Sequence, residues 1–142
     1  MKKLAPAIMF CGLTLLLISS VIGKQNQQSG YTLEHEKDIV VTEAGPHSGG
    51  GSTKAYKFFK KEQNSKLQFT KRILRPGAAI GYHLQKEEEI YYIISGKGEM
   101  MMNGETFNVE EGDAILTHAG SSHGLKQTGS KELVMIINYE KK

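Results

Sequence analysis

Short stretches of alternating hydrophobic and polar residues run through most of this chain. Tyr56–Phe58 and Leu67–Arg75 approximate a period of two, which is the repeat of a half-buried β-strand, and the polar run Glu62–Ser65 between them predicts a turn. Further short strands are predicted at Ile39–Val41, Ile80–Leu84, Ile90–Ile94, Glu99–Met102, Glu105–Val109, Ala114–Thr117, Gly124–Gln127 and Leu133–Tyr139. No amphipathic helical repeat accompanies them, so the pattern predicts an all-β sandwich or barrel.

Glycine-containing turns separate the predicted strands. Asn103-Gly104 is the strongest signal, because this pair favours a two-residue hairpin loop of type I′. Residues 44–52 contain three consecutive glycines, whose amides can face an anion, but no helix pattern follows to complete a phosphate loop. We therefore interpret residues 44–52 as a flexible connection between two strands, with His47 as a surface histidine.

The first 23 residues have the pattern of a secretory signal peptide. Lys2 and Lys3 precede the apolar run Leu4–Ile18, and small residues end the segment, so cleavage is expected after Gly23. The product would be periplasmic or secreted, with no stable membrane insertion. The alternative is an uncleaved anchor, because Leu4–Ile22 approaches the roughly 20 apolar residues of a spanning helix.

Charge and cysteine content narrow the class of protein. The formal net charge of +3 falls to +1 once Lys2 and Lys3 are removed, and no basic run remains, which argues against nucleic acid as a partner. The single cysteine, Cys11, lies in the predicted signal peptide, so the mature chain would contain no disulfide. Residues 24–30 are predicted to be a flexible linker, and residues 31–142 a single domain.

Glycine, histidine and glutamate recur at fixed spacings between Gly77 and Gln127. The first set is Gly77, five residues, His83-Leu84-Gln85, three residues, Glu89, six residues and Gly96. The second set is Gly112, five residues, His118, one residue, Gly120, two residues, His123, three residues and Gln127. Together they resemble the two motifs of the cupin superfamily, in which positions 85, 118 and 127 are usually His, Pro and Asn. The resemblance implies a double-stranded β-helix, a jelly-roll barrel with its site inside.

The resemblance also implies a metal site formed by His83, Gln85, Glu89 and His123. His83 and Gln85 are two residues apart on one predicted strand, so their side chains point to the same face. The family spacing selects Glu89 from a run of three glutamates and leaves Glu87 and Glu88 as turn residues exposed to water. Two imidazoles and a carboxylate suit a divalent ion and form the facial set used by non-haem Fe(II) enzymes. The alternative is a barrel that has kept its pocket but binds no metal.

Three residues depart from the family motifs. Gln85 offers an amide oxygen, a weaker and harder donor than imidazole, which favours Mn or Fe and leaves Zn or Ni possible. Alternatively, the Gln85 side chain does not coordinate the ion, and a water molecule takes its coordination position. His118 replaces a proline in a turn and is expected to be exposed to solvent. Gln127 is expected to have a structural role.

Strand alternation indicates which other side chains enter the barrel. It places Tyr91 and Ile93 on the inner face with Glu89, and Leu125 with His123. Met100 and Met102 share a face and are interpreted as core residues. Tyr91 is the candidate catalytic residue, because its hydroxyl lies close in sequence to the acid and can contact a substrate.

The resemblance implies an exported metal-binding cupin that acts on a small organic molecule. It would be a dioxygenase, or an isomerase or lyase in which Tyr91 or a carboxylate moves a proton. The alternative is a non-catalytic binding module for a sugar or organic acid, which would account for the altered motifs. Cupins commonly form homodimers through sheet edges, and the same is expected here.

Overall fold

In a computed structural model, which describes residues 30–141, the chain forms two antiparallel β-sheets. The elements are α1 Glu36–Ile39, β1 Val40–Ala44, β2 Ser52–Phe58, β3 Leu67–Leu74, β4 Ala79–Leu84, β5 Glu89–Ser95, β6 Lys97–Met102, β7 Glu105–Glu110, β8 Ala114–Thr117, β9 Ser122–Thr128 and β10 Leu133–Glu140. The predicted signal peptide lies outside the described residues. Within residues 30–141, no helix is long and apolar enough to cross a membrane.

The two sheets exchange strands along the chain. The larger sheet has the order β1-β2-β3-β10-β5-β8, and the smaller one has the order β4-β9-β6-β7. From β4 onward the chain passes between the sheets repeatedly, with β4, β6, β7 and β9 in one sheet and β5, β8 and β10 in the other. This alternation is the jelly-roll winding of a double-stranded β-helix, and it confirms the predicted fold class.

Most strands lie where the hydrophobic pattern predicts them. The main difference is β2, which begins at Ser52 rather than Tyr56, because Thr53 and Ala55 are both fully buried. The helix α1 was not predicted and contributes no buried residue. Asn103 and Gly104 both have positive φ, 50° and 88°, as a type I′ turn requires.

The core lies between the inward faces of the two sheets. Along β5 buried and exposed residues alternate, with Glu89, Tyr91 and Ile93 inside, as the sequence predicts. Met100 and Leu125 are paired across β6 and β9 and are buried in the same cluster. Burial of these apolar side chains stabilises the barrel independently of the polar residues on β4 and β5.

The glycine-rich loop between β1 and β2 is packed against β4. We call residues 45–51 the His47 loop. Gly81 of β4 donates from its amide to the Pro46 carbonyl at 2.9 Å, and Ala79 donates to the Gly50 carbonyl at 3.3 Å. A Cβ on Gly49 would lie 2.1 Å from the Ala79 carbonyl oxygen, so only glycine fits there. The loop joins two strands as predicted, but its interpretation as a flexible connection was wrong.

Candidate functional site

A cavity of about 370 Å³ enters the barrel beside β4 and β5. Its lining includes His83, Gln85, Glu89 and Tyr91, which the sequence analysis selected, and His47, which it did not. His123, on β9, is fully buried beside Glu89 and Tyr91. The structure therefore brings the predicted site residues together from three strands.

His83 and His123 face each other across neighbouring strands. They are cross-strand partners of β4 and β9, and their ring centroids are 4.6 Å apart. The Nδ1 of His83 lies 2.8 Å from the Gly81 carbonyl oxygen, which can only accept, so Nδ1 carries the proton and donates. In the neutral ring Nε2 therefore keeps its lone pair, which is the arrangement that metal-binding histidines use.

Glu89 and His123 form a buried pair that is not fully satisfied. Glu89 is 5% exposed and His123 is fully buried, and Glu89 Oε2 lies 3.2 Å from His123 Nε2. This contact lacks hydrogen-bond geometry, and Glu89 Oε2 has no hydrogen-bond partner. The Nδ1 of His123 is also buried without a partner. Buried polar atoms of this kind call for a partner, which a water molecule or an ion can supply.

Tyr91 contacts the same histidine nitrogen. Its hydroxyl oxygen lies 2.9 Å from His123 Nε2, and its side chain is 1% exposed. Burial, and then the nearby Glu89 carboxylate, raise the pKa of Tyr91 well above its ordinary value. The phenol is therefore protonated at neutral pH and can donate to His123 Nε2. Tyr91 can act as a hydrogen-bond donor or acid, but not as a base.

Gln85 follows directly after β4. Its side chain is 8% exposed and lines the same cavity as His83. The strand end is fixed by two backbone hydrogen bonds, from the Gln85 amide to the Ser121 carbonyl and from the Gly120 amide to the Gln85 carbonyl, both at 2.8 Å. The loop before β9 therefore holds residue 85 in register with His123.

The other acidic residues of the run have different environments. Glu88 is exposed and lies 3.5 Å from His118, which is also exposed, as predicted for that turn. Glu87 was predicted to be exposed as well, but it is half-buried and lines the cavity. Burial, and then Glu89 and Glu87, raise the pKa of Tyr139 at the same wall. The prediction was wrong for Glu87 because the turn folds back over the cavity.

Gln127 is structural, as predicted. Its buried side chain accepts from the Gly77 amide at 2.8 Å. Its Nε2 donates to three backbone carbonyl oxygens, those of Thr128, Gly129 and Lys131. One side chain thus ties the turn before β4 to the turn after β9, and it takes no part in the cavity.

His47 is the residue that sequence reasoning did not assign to the site. Its side chain is exposed, as expected, yet its ring stacks on His83 with centroids 3.5 Å apart and an angle of 4° between the planes. Burial, and then His83, lower the pKa of His47. The one available signal was a histidine inside a run of glycines, and nothing in the sequence shows that this run lies on β4.

The chemical types of the donor groups in the cavity suit a divalent cation. Glu89 supplies a carboxylate oxygen without a donor, His83 supplies a free Nε2, and Gln85 supplies an amide in the same cavity. Across residues 30–141, however, no three His, Cys, Asp or Glu side chains are grouped closely enough to hold a metal ion as they stand. Tyr91 Oη lies against His123 Nε2, the nitrogen that faces Glu89.

Cationic side chains line the other wall of the cavity. Arg72 is 5% exposed and donates to Thr53 Oγ1 and to Glu43 Oε1, both at 3.0 Å. Lys57 lies 3.5 Å from the same Glu43 oxygen, and Lys60 also lines the cavity. Glu43 partly offsets the charges of both Arg72 and Lys57.

Comparison with known proteins agrees with this architecture. Residues 71–139 match the family described as the cupin domain. An oxalate-binding protein of Thermotoga maritima is 37% identical over 71 residues, which cover 49% of this chain and 59% of that protein. A 5-nitrosalicylic acid 1,2-dioxygenase of Bradyrhizobium is 26% identical over 69 residues, which cover 49% of this chain and 33% of that enzyme. The chain therefore spans less than two thirds of each of these relatives.

A solved structure matches over a larger part of the chain. The crystal structure of a predicted oxalate decarboxylase from Thermotoga maritima has a TM-score of 0.70 and 27% identity, and the match covers 78% of this chain and 100% of that one. The fold and the sequence match thus agree on the same superfamily. The described chain has the cupin jelly-roll fold, and its residues 71–139 match the cupin domain family.

Proposed function

We propose that this protein is a metal-binding cupin that takes a small organic acid into its barrel. The observation that carries the proposal is the environment of Glu89, a buried carboxylate with one oxygen that lacks a donor, beside a buried imidazole. Burying an ionised carboxylate costs free energy unless it is paired or coordinates a cation. A divalent cation between the two histidines and Glu89 would provide that partner.

His83, Glu89 and His123 would hold the ion, with the amide oxygen of Gln85 or a water as a further ligand. The harder amide donor favours Mn or Fe over Zn or Ni. When bound, such an ion supplies Lewis acidity, and with Fe it can also support O₂ chemistry. The chain's own part is to orient the ligands through the Gly81 carbonyl and to hold a proton on Tyr91 Oη, where it can be donated to a substrate.

The walls of the cavity support an acid as the bound molecule. Lys57, Lys60 and Arg72 outnumber the carboxylates Glu87 and Glu89 in its lining, and Gln68 and Thr70 add hydrogen-bonding groups. A carboxylate gains a charge attraction to these cations that a neutral sugar lacks. The oxalate-binding relative points to the same ligand class.

A binding protein without turnover is the second candidate. It is favoured by the relative described as binding oxalate. The dioxygenase relative favours an enzyme. Oxygen uptake or product formation in the presence of metal and candidate acids distinguishes a catalyst from a binder.

Metal content tests the proposal. The protein is purified without added metal, dialysed against Mn²⁺, Fe²⁺ or Zn²⁺, and analysed for bound metal per chain. We expect about one ion per chain in the wild type and a loss of most bound metal in His83→Ala, Glu89→Gln and His123→Ala, because each removes a ligand. His118→Ala is the control, since this histidine is exposed and pairs with Glu88. Unchanged metal content in all three variants would falsify the ligand assignment.

A further inference from the structure

We propose that His47 is a positioning residue that holds the His83 ring in the orientation needed at the site. The expected effect on metal affinity rests on the proposed function, whereas the orientation of the His83 ring does not. The observation is the stack of the two imidazoles, with centroids 3.5 Å apart and planes 4° from parallel. His47 also lines the cavity, so it closes one face of His83 at the entrance.

The geometry of the stack excludes His47 as a further ligand to the same ion. A ligating nitrogen directs its lone pair in the plane of its own ring, at about 2.0–2.1 Å from a metal such as zinc. Two rings that lie parallel and 3.5 Å apart direct their lone pairs along separate planes, so one ion cannot lie in both. His47 therefore acts on His83 through its ring face.

The backbone of the His47 loop has an unusual conformation at this contact. His47 and Ser48 both have positive φ, 53° and 61°, a conformation that non-glycine residues rarely adopt. Such residues persist where the surrounding contacts impose them, and they concentrate at functional sites. Here the imposing contacts are the hydrogen bonds that bind the loop to β4.

The His47 loop and the proposed metal ligand His83 are connected through one residue, Gly81. Its amide donates to the Pro46 carbonyl of the loop at 2.9 Å, and its carbonyl accepts from His83 Nδ1 at 2.8 Å. A Cβ on Gly81 would lie 1.9 Å from the His47 carbonyl oxygen, so the loop reaches this position only because residue 81 is glycine. The register shift in β4 between Ile80 and His83 lies at the same place. The loop thus fixes both the hydrogen bond and the exposed face of His83.

The test is NMR of the full-length, metal-free protein with ¹⁵N-labelled histidine. In the wild type we expect His83 as a single species protonated on Nδ1. His47→Ala should let the ring exchange between orientations and give averaged or broadened ¹⁵N signals. His47→Phe keeps a flat ring and should restore the wild-type signals. Gly49→Ala, whose Cβ would meet the Ala79 carbonyl and the Gly81 amide, should displace the loop from β4 and reproduce the effect of His47→Ala.

Zn²⁺ affinity provides the second measurement. Losing a residue that orients a ligand costs on the order of tenfold in metal affinity, so His47→Ala should weaken binding by about that factor and His47→Phe should recover it. His118→Ala should change neither measurement. Wild-type His83 signals in both His47→Ala and Gly49→Ala would overturn the proposal, as would a His47→Phe variant that behaves like His47→Ala. Normal NMR behaviour with no binding of Mn²⁺, Fe²⁺ or Zn²⁺ in any protein would refute the proposed function and leave the positioning role standing.

Discussion

At the scale of single residues, the site depends on which group engages Nε2 of His123. Tyr91 Oη lies 2.9 Å from this nitrogen and Glu89 Oε2 lies 3.2 Å from it, while Nδ1 is buried without a partner. A cation between Glu89 and the histidines needs the same lone pair that the Tyr91 hydroxyl engages. Metal and tyrosine therefore compete for one atom.

Tyr91→Phe tests this competition. Removing the hydroxyl frees His123 Nε2, and a hydrogen bond contributes about 0.5–1.5 kcal/mol, so Mn²⁺ or Zn²⁺ should bind roughly two- to tenfold more tightly. Isothermal titration of wild type and variant measures the difference. Tyr92→Phe, which changes an exposed residue of the same strand, is the control. Weaker binding in Tyr91→Phe would show that the hydroxyl supports the ion site rather than competing with it.

Gln85→His tests the register of the first motif. Residue 85 directly follows β4 and lines the same cavity as His83, so an imidazole there is expected to need no change in the backbone. Imidazole binds borderline ions better than an amide oxygen, and we expect about tenfold tighter Zn²⁺ or Ni²⁺ binding and a shift in selectivity away from Mn²⁺. Competitive titration with Zn²⁺ and Mn²⁺ measures it, with Gln68→His as a control elsewhere on the cavity wall. Identical affinities in wild type and Gln85→His would mean that residue 85 does not face the metal.

At the scale of elements, one polar cluster joins the first three strands. Arg72 of β3 donates to Thr53 of β2 and to Glu43 of β1, so the edge strand β1 is attached by a charged contact as well as by its ladder. Burial raises the pKa of Glu43, but the hydrogen bond and charge of Arg72, together with Lys57, outweigh it and lower the pKa below the ordinary value of 4.5. Glu43 therefore keeps its negative charge down to a lower pH in the folded state than in the unfolded state.

This shift predicts a pH-dependent stability. A group with a lowered folded pKa stabilises the protein above its unfolded pKa, and that stabilisation is lost as the pH falls through the folded pKa. Wild type should therefore be more stable than Glu43→Gln at pH 7, and the difference should shrink as the pH falls below 4.5. Urea denaturation at pH 7 and at about pH 3 measures it, with Glu105→Gln as a surface control. A difference that stays constant or grows in acid contradicts the prediction.

Most elements could be predicted from the sequence because local alternation determines strand position and face. The pattern around Tyr91 and His123 specifies both strands, and the turn at Asn103-Gly104 follows from backbone preference alone. The stack of His47 on His83 could not be predicted, because it depends on a long-range contact between a loop and β4. The cavity-lining position of Glu87 depends likewise on how a turn folds over the barrel.

At the scale of the whole molecule, the described residues form one barrel whose cavity opens beside β4 and β5. The apolar core is contributed by residues other than the proposed ligands, so the barrel should fold without metal. A homodimer stays a prediction, and light scattering of the purified protein measures the number of chains. Export also stays a prediction, and it would determine which metals and acids the cavity meets.

Export predicts a defined mature chain. Residues 1–23 should be removed on secretion, since a charged start, an apolar run and small residues at its end are the features that signal peptidase requires. Intact mass spectrometry of the protein recovered from the periplasm or the medium should give a chain that begins at Lys24. Recovery of the full-length chain from the membrane fraction would instead support the uncleaved anchor.

The central claim is that His83, Glu89 and His123 jointly bind a divalent ion in the barrel. Anomalous X-ray diffraction from crystals of the protein loaded with Mn²⁺ or Zn²⁺ tests it most directly, because it locates the ion itself. We expect one anomalous peak within about 2.0–2.3 Å of a nitrogen of each histidine and of the Glu89 carboxylate, with the hydrogen bond between Tyr91 and His123 broken. A crystal soaked at saturating metal in which that hydrogen bond persists and no peak lies between these three side chains would contradict it.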